Sequence, residues 1–95
     1  MTAPWQPSAG AVALLDEMRG DPKGWHCLDL HKLLDHWGFA PPIPLAEGGA
    51  PPTLRHHPEH RDLRVVVFPV DEVAPRVILY AVQCVDTLKG RIGVA

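Results

Sequence analysis

Between residues 39 and 54 the chain carries five prolines, at positions 41, 42, 44, 51 and 52, and two glycines, Gly48 and Gly49. Proline has no amide proton to donate to a sheet ladder, so any strand here is short or lies at a sheet edge. Short strands are expected over residues 39–45 and 53–56. The segment also divides the chain, with helical periodicity before it and a strand-like run after it.

That later run, residues 63–70, is the strong strand signal. Leu63, Val65 and Val67 point one way and Arg64, Val66 and Phe68 the other, the period-2 alternation of a pleated strand. It is expected to be the central strand of its sheet. The polar stretch Pro58-Glu59-His60-Arg61-Asp62 just before it reads as a turn.

Three helices are expected around this sheet. Ser8 suits the N-cap of a first helix ending near Arg19 and Gly20, with Ala11, Leu14, Leu15 and Met18 on its apolar side. A second helix should run over 28–37, placing Leu30, Leu33, Leu34 and Trp37 on one arc, and stop at Gly38. Pro75 suits the first turn of a last helix ending near Lys89 and Gly90. Its core stripe is Val77, Ala81, Cys84, Val85 and Leu88, while Leu79 falls outside and should be exposed or covered by a partner. Residues 1–7, with Pro4 and Pro7 around Trp5, read as an extended arm. The class is α+β, a three-stranded antiparallel sheet with helices on one face.

Size and charge narrow the function. A chain of 95 residues, 46% hydrophobic, builds one modest core. A two-domain enzyme with an interdomain cofactor cleft is excluded, as is a strongly basic nucleic-acid tail. The net charge of −2 hides an asymmetry: residues 1–54 sum to −3 and residues 55–95 to +1, with His56, His57 and His60 in the positive half. The apolar runs at 65–68 and 77–82 are far below the roughly 20 residues a bilayer span needs. No membrane association and a cytoplasmic location are expected. Cys27 and Cys84 are read as two reduced structural thiols, with a bridge between them as the alternative.

The order of elements, with particular residues, resembles the HicA family of small toxin ribonucleases from bacterial toxin–antitoxin pairs. The stretches that carry the resemblance are Leu33-Leu34-Asp35-His36-Trp37-Gly38-Phe39, Gly48-Gly49, Leu54-Arg55-His56-His57-Pro58, Arg64-Val65-Val66-Val67-Phe68-Pro69 and Val73-Ala74-Pro75. The resemblance covers about residues 21–89, with Asp21-Pro22-Lys23-Gly24-Trp25 and Asp29-Leu30 as upstream matches. It implies a double-stranded-RNA-binding-domain-like core, helix–strand–strand–strand–helix, over 21–95, preceded by an arm and extra helix over 1–20. It further implies an RNA-binding, ribonucleolytic toxin of a type II system, acting as a metal-independent endoribonuclease, with RNA and a cognate antitoxin as partners. Homodimerisation is a further option. No cofactor and no metal are implied.

The family's working histidine follows a Gly-Ser or Gly-Gly turn. Here that position falls on Ala50 or Pro51, and a second family histidine falls on Pro52, none of which can move a proton. If nuclease activity survives, the imidazole of His57 is the first choice for proton transfer and that of His56 the second. Arg55, His60, Arg61 and Arg64 would bind phosphate, with Lys89 and Arg91 near the end of the last helix.

Other readings of the same residues compete. The cluster His56-His57-Pro58-Glu59-His60 is equally a solvated hairpin turn with ordinary surface histidines. A metal site on His56 or His57 with His60 lacks a further ligand pair of suitable spacing. His31 with Asp35 reads as an ordinary helix-surface pair. Trp25 and Trp37 read as core or core-edge anchors. Ser8, the sole serine, and Gly48-Gly49 do not fit a serine-nucleophile or phosphate-loop template. The rival function is a non-catalytic HicA-like protein-interaction or dimerisation module that has lost nuclease activity. The net negative charge and the proline-rich segment favour it.

Overall fold

A computed structural model describes residues 8–93. The elements run α1 (Ala9–Gly20), α2 (Cys27–His36), β1 (Ile43–Pro44), β2 (Thr53–His56), β3 (Arg64–Val67) and α3 (Pro75–Ile92). The strands form one antiparallel sheet in the order β1-β2-β3. The class is α+β, as the sequence implies, and is compatible with a double-stranded-RNA-binding-domain-like fold. The extended arm expected over 1–7 lies outside the described residues.

Local chemistry sets the element ends. The Ser8 hydroxyl accepts from the Ala11 N–H at 3.1 Å and opens α1. At α2, His26 caps through Nδ1, which accepts from the Leu28 N–H at 3.0 Å, while Asp29 Oδ2 accepts from the His26 N–H at 3.0 Å. This reciprocal capping box starts α2 at Cys27, one position before the expected start. Gly38, at φ 78°, takes the left-handed conformation just past α2. The α3 helix continues beyond Lys89 and Gly90 to Ile92, where Gly93 at φ 76° donates its N–H to the Lys89 carbonyl.

The sheet departs from expectation in two ways. The strand expected over 39–45 shrinks to Ile43–Pro44, because Pro41, Pro42 and Pro44 lack the donors a longer ladder needs. The 63–70 strand, expected to be central, is an edge strand, and β2 takes the middle. Leu54 faces both Ile43 and Val66, and Thr53 both Pro44 and Val67. Among the described residues β3 pairs with β2 alone, and α3 packs against it. Val77 and Tyr80 of α3 and Arg64 and Val66 of β3 line one groove.

The expected alternation along β3 holds. Leu63, Val65 and Val67 are buried, while Arg64 and Phe68 are exposed. The buried set joins Leu30, Leu33, Leu34 and Trp37 from α2, and Ile78, Ala81, Val85 and Leu88 from α3, in one core. From α1, Ala11, Leu15 and Met18 enter the same core. Trp37 is wholly buried, and its indole N–H donates to the Ala11 carbonyl at 3.3 Å, tying α2 to α1. Each large aliphatic side chain buried this way contributes about 1.5–3 kcal/mol. Cys84 is buried as a small hydrophobe, and both cysteines are free thiols. The helices line one face of the sheet, leaving the other, with Leu54, Val66 and Phe68, open.

Candidate functional site

The residues expected to bind phosphate separate into three places. Arg55 points inward from the middle strand and is almost fully buried. Its Nε donates to the Ala40 carbonyl at 3.0 Å, and its terminal nitrogens donate to the His31 carbonyl at 3.1 Å and to the Asp35 carboxylate. The same guanidinium lies 3.2 Å from His31 Nδ1 and 3.4 Å from the Phe39 carbonyl. Arg55 therefore clamps β2 to α2 and the 39–40 backbone, and leaves the set of phosphate-facing cations. His31 is not an ordinary surface partner of Asp35 either. Burial first, and the Arg55 charge second, hold its pKa below the usual value.

A second group gathers at the turn between β2 and β3. The backbone closes this turn through His57 N–H to the Leu63 carbonyl at 3.1 Å and Leu63 N–H to the His60 carbonyl at 2.9 Å. His57 is buried, with its ring edge-on to Phe39 at 5.6 Å and 5.1 Å from the ring of His60. Its Nδ1 accepts the Glu59 N–H at 3.1 Å. Burial, followed by the neighbouring His60, depresses its pKa. Both effects favour a neutral ring, and the Glu59 N–H on Nδ1 puts the ring proton on Nε2, with the Nδ1 lone pair engaged.

From the end of α3, Arg91 reaches the same turn. It makes two hydrogen bonds to Asp62, at 2.8 and 2.6 Å, and approaches His60 Nδ1 at 3.5 Å. The Arg91 hydrogen bonds hold the Asp62 carboxyl down at about 2. His56 and His60 are half-buried here, Arg61 is exposed, and Lys89 is half-buried on the last turn of α3. The structure thus brings His57, His60 and Arg91 together, with Arg91 already bound to a carboxylate, while His56 stands opposite Arg64 in the sheet. No group of three or more metal-ligating side chains occurs among the described residues.

Arg64 stands apart from both. It projects from the open sheet face into a groove of about 650 Å³. Leu45, Leu54, Val66 and Phe68 line the sheet side, and Val77 and Tyr80 of α3 form the other wall. Phe68, Leu45 and Tyr80 are each about half exposed. Arg76 at the start of α3 joins Arg64 on this lining, and no carboxylate does. Burial of the Cys84 thiol raises its pKa, and contact with Cys84 raises that of the Tyr80 hydroxyl.

Sequence reasoning passed over this groove. Its signal lay in the outward set of β3: Val66 and Phe68 are apolar where a strand with one solvated face would be polar. Arg76 and Tyr80 carried no sequence signal, because their part depends on α3 lying along the β3 edge.

Among the described residues no helix is long and apolar enough to cross a membrane. No family model matches the chain, and neither a curated protein nor a solved structure matches it.

Proposed function

We propose that this chain is a non-catalytic, HicA-like interaction module that receives a partner on the open face of its sheet. The observation that carries the reading is the groove of about 650 Å³ between that face and α3. An apolar groove with a few charged groups on its rim is the common form of a binding site. The rim arginines would orient what binds.

His57 supports the non-catalytic half of the proposal. A general base needs a free lone pair within reach of the substrate proton. In His57 the acceptor nitrogen is taken by the Glu59 N–H. A ring held this way braces the turn rather than moving protons. Ala50, Pro51 and Pro52 supply no substitute.

A second reading, the RNA-binding toxin with its cognate antitoxin in the cytoplasm, rests on one observation: His57, His60 and Arg91 meet at a single turn, with His56 and Arg61 adjacent in sequence. In that reading the turn would take RNA phosphates, and affinity would fall steeply with salt.

One pair of experiments separates the two. An anionic naphthalene fluorophore should light up on the native chain and lose that signal in Phe68→Asp, with the thermal midpoint unchanged. Expression of the wild type should neither arrest growth nor cleave RNA. Growth arrest relieved by His57→Ala would overturn the non-catalytic reading. Fluorescence unchanged in Phe68→Asp would remove the open face as the binding surface.

A further inference from the structure

Resting on the reading of the open sheet face as a docking surface, we propose that its occupant is an acidic amphipathic helix. The apolar side of that helix fills the groove and its carboxylates pair with Arg64 and Arg76.

Charge decides the sign of the partner. The chain has six arginines. Arg19 is paired with Asp16 and Asp86, Arg55 with Asp35, and Arg91 with Asp62. Arg61, Arg64 and Arg76 have no carboxylate partner among the described residues, and two of these three line the groove. In a chain of net charge −2, two unpaired guanidinium groups on an apolar, carboxylate-free lining form a local positive field. An approaching carboxylate gains from that field, and the apolar walls strengthen the gain by excluding water. A second copy of the chain is disfavoured, because its matching face brings two further guanidinium groups and no carboxylate to the contact.

Sheet geometry decides the shape of the partner. An extended peptide binds an open sheet by adding a strand to an edge. Neither edge serves. β1 spans only Ile43–Pro44, and proline precedes and occupies it. Beside β3, α3 stands as the opposite wall of the groove, with Val77 and Tyr80 across from Val66 and Phe68. The partner must therefore lay side chains into the trough between sheet and helix, as a helix does with anchors at i, i+3 or i+4, and i+7. A trough of about 650 Å³ accommodates two or three such anchors, against walls that already offer Phe68 and Tyr80 for aromatic contact.

Selection of random displayed peptides on the full-length chain tests this, with Tyr80→Asp and the pair Arg64→Ala, Arg76→Ala as counter-targets. Tyr80 is half exposed on α3, so its substitution leaves the core intact. The expected selected peptides have apolar residues at helical spacing interleaved with Asp or Glu. Their affinity should fall about tenfold or more for the double arginine variant, weaken with salt, and vanish for Tyr80→Asp. Peptides without acids that lose binding only to Tyr80→Asp would overturn the acidic helix while leaving the docking face in place. A concentration-dependent dimer in sedimentation, abolished by Tyr80→Asp, would likewise replace the acidic helix by a second copy. Peptides that bind Tyr80→Asp as well as the wild type would overturn both.

Discussion

The Arg55 guanidinium crosses from the middle strand to the Asp35 carboxylate on α2, and the two ends of this pair lie in different surroundings. Arg55 is buried, whereas the Asp35 side chain is 67% exposed. The cation is thus the buried member, and its remaining donors are satisfied by the carbonyls of Ala40 and His31.

Removing the cation strands those carbonyls, while removing the anion leaves a buried charge with part of its compensation. Arg55→Met should destabilise the fold by about 2–3 kcal/mol, the penalty for unpaired buried acceptors. Asp35→Asn keeps an acceptor in place and should cost less. Urea unfolding of the two single variants and the double variant checks this, and a coupling energy near zero would show that Arg55 is held by the carbonyls alone.

Thr53 gives the opposite expectation. Its hydroxyl is buried on β2 and finds no hydrogen-bond partner among the described residues. Valine keeps the β-branched shape that suits the strand and removes the unmet polar group. Thr53→Val should stabilise by about 1 kcal/mol, raising the thermal midpoint by roughly 4–8 °C for a domain of this size. A lower midpoint would mean that the hydroxyl has a partner in solution.

Much of the frame is legible in the residues themselves. Ser8, Pro75 and the alternation from Leu63 to Phe68 mark helix starts and a strand face by purely local chemistry. The rank of that strand in the sheet is not local. The apolar strength of β3 suggests a centre, yet it is β2 that pairs on both sides. Arg55 is misread for a related reason: in sequence it stands among histidines and resembles a surface cation. Its burial comes from α2, which lies against β2 and offers Asp35 and the His31 carbonyl. His57 looks free in a polar turn until Phe39 and Glu59 close on it. The groove needs three distant segments, carrying Leu45, Val66 and Tyr80, to meet.

Acidification should weaken the fold before its ordinary carboxylates titrate. His31 and His57 both have pKa values lowered from 6.5, each chiefly by burial. Above 6.5 these rings are neutral in both the folded and unfolded chain, and their contribution is fully present. As pH falls below 6.5 the unfolded chain takes up protons first, so stability declines until the lowered folded values are passed. Urea midpoints should therefore drop between about pH 7 and pH 5, and His57→Asn should flatten part of that slope. A midpoint that climbs over this interval would contradict the burial of both rings.

The end of α3 allows a residue-specific check. Asp62 titrates at about 2 instead of 3.8, first because Arg91 donates to it. A carboxyl lowered in the folded state adds stability above 3.8 that is lost as pH falls toward 2. Carboxyl carbon NMR shifts followed through acid should place the Asp62 midpoint near 2 in the wild type. In Arg91→Gln it should return most of the way to 3.8, and the ring of His60, whose Nδ1 lies 3.5 Å from Arg91 Nη1, should register the loss of that contact. An unmoved Asp62 midpoint would show that the turn and the helix end are not joined by this pair. In that case Arg91 is a free cation, and the RNA reading of the turn gains the phosphate ligand that the Asp62 pairing otherwise withholds.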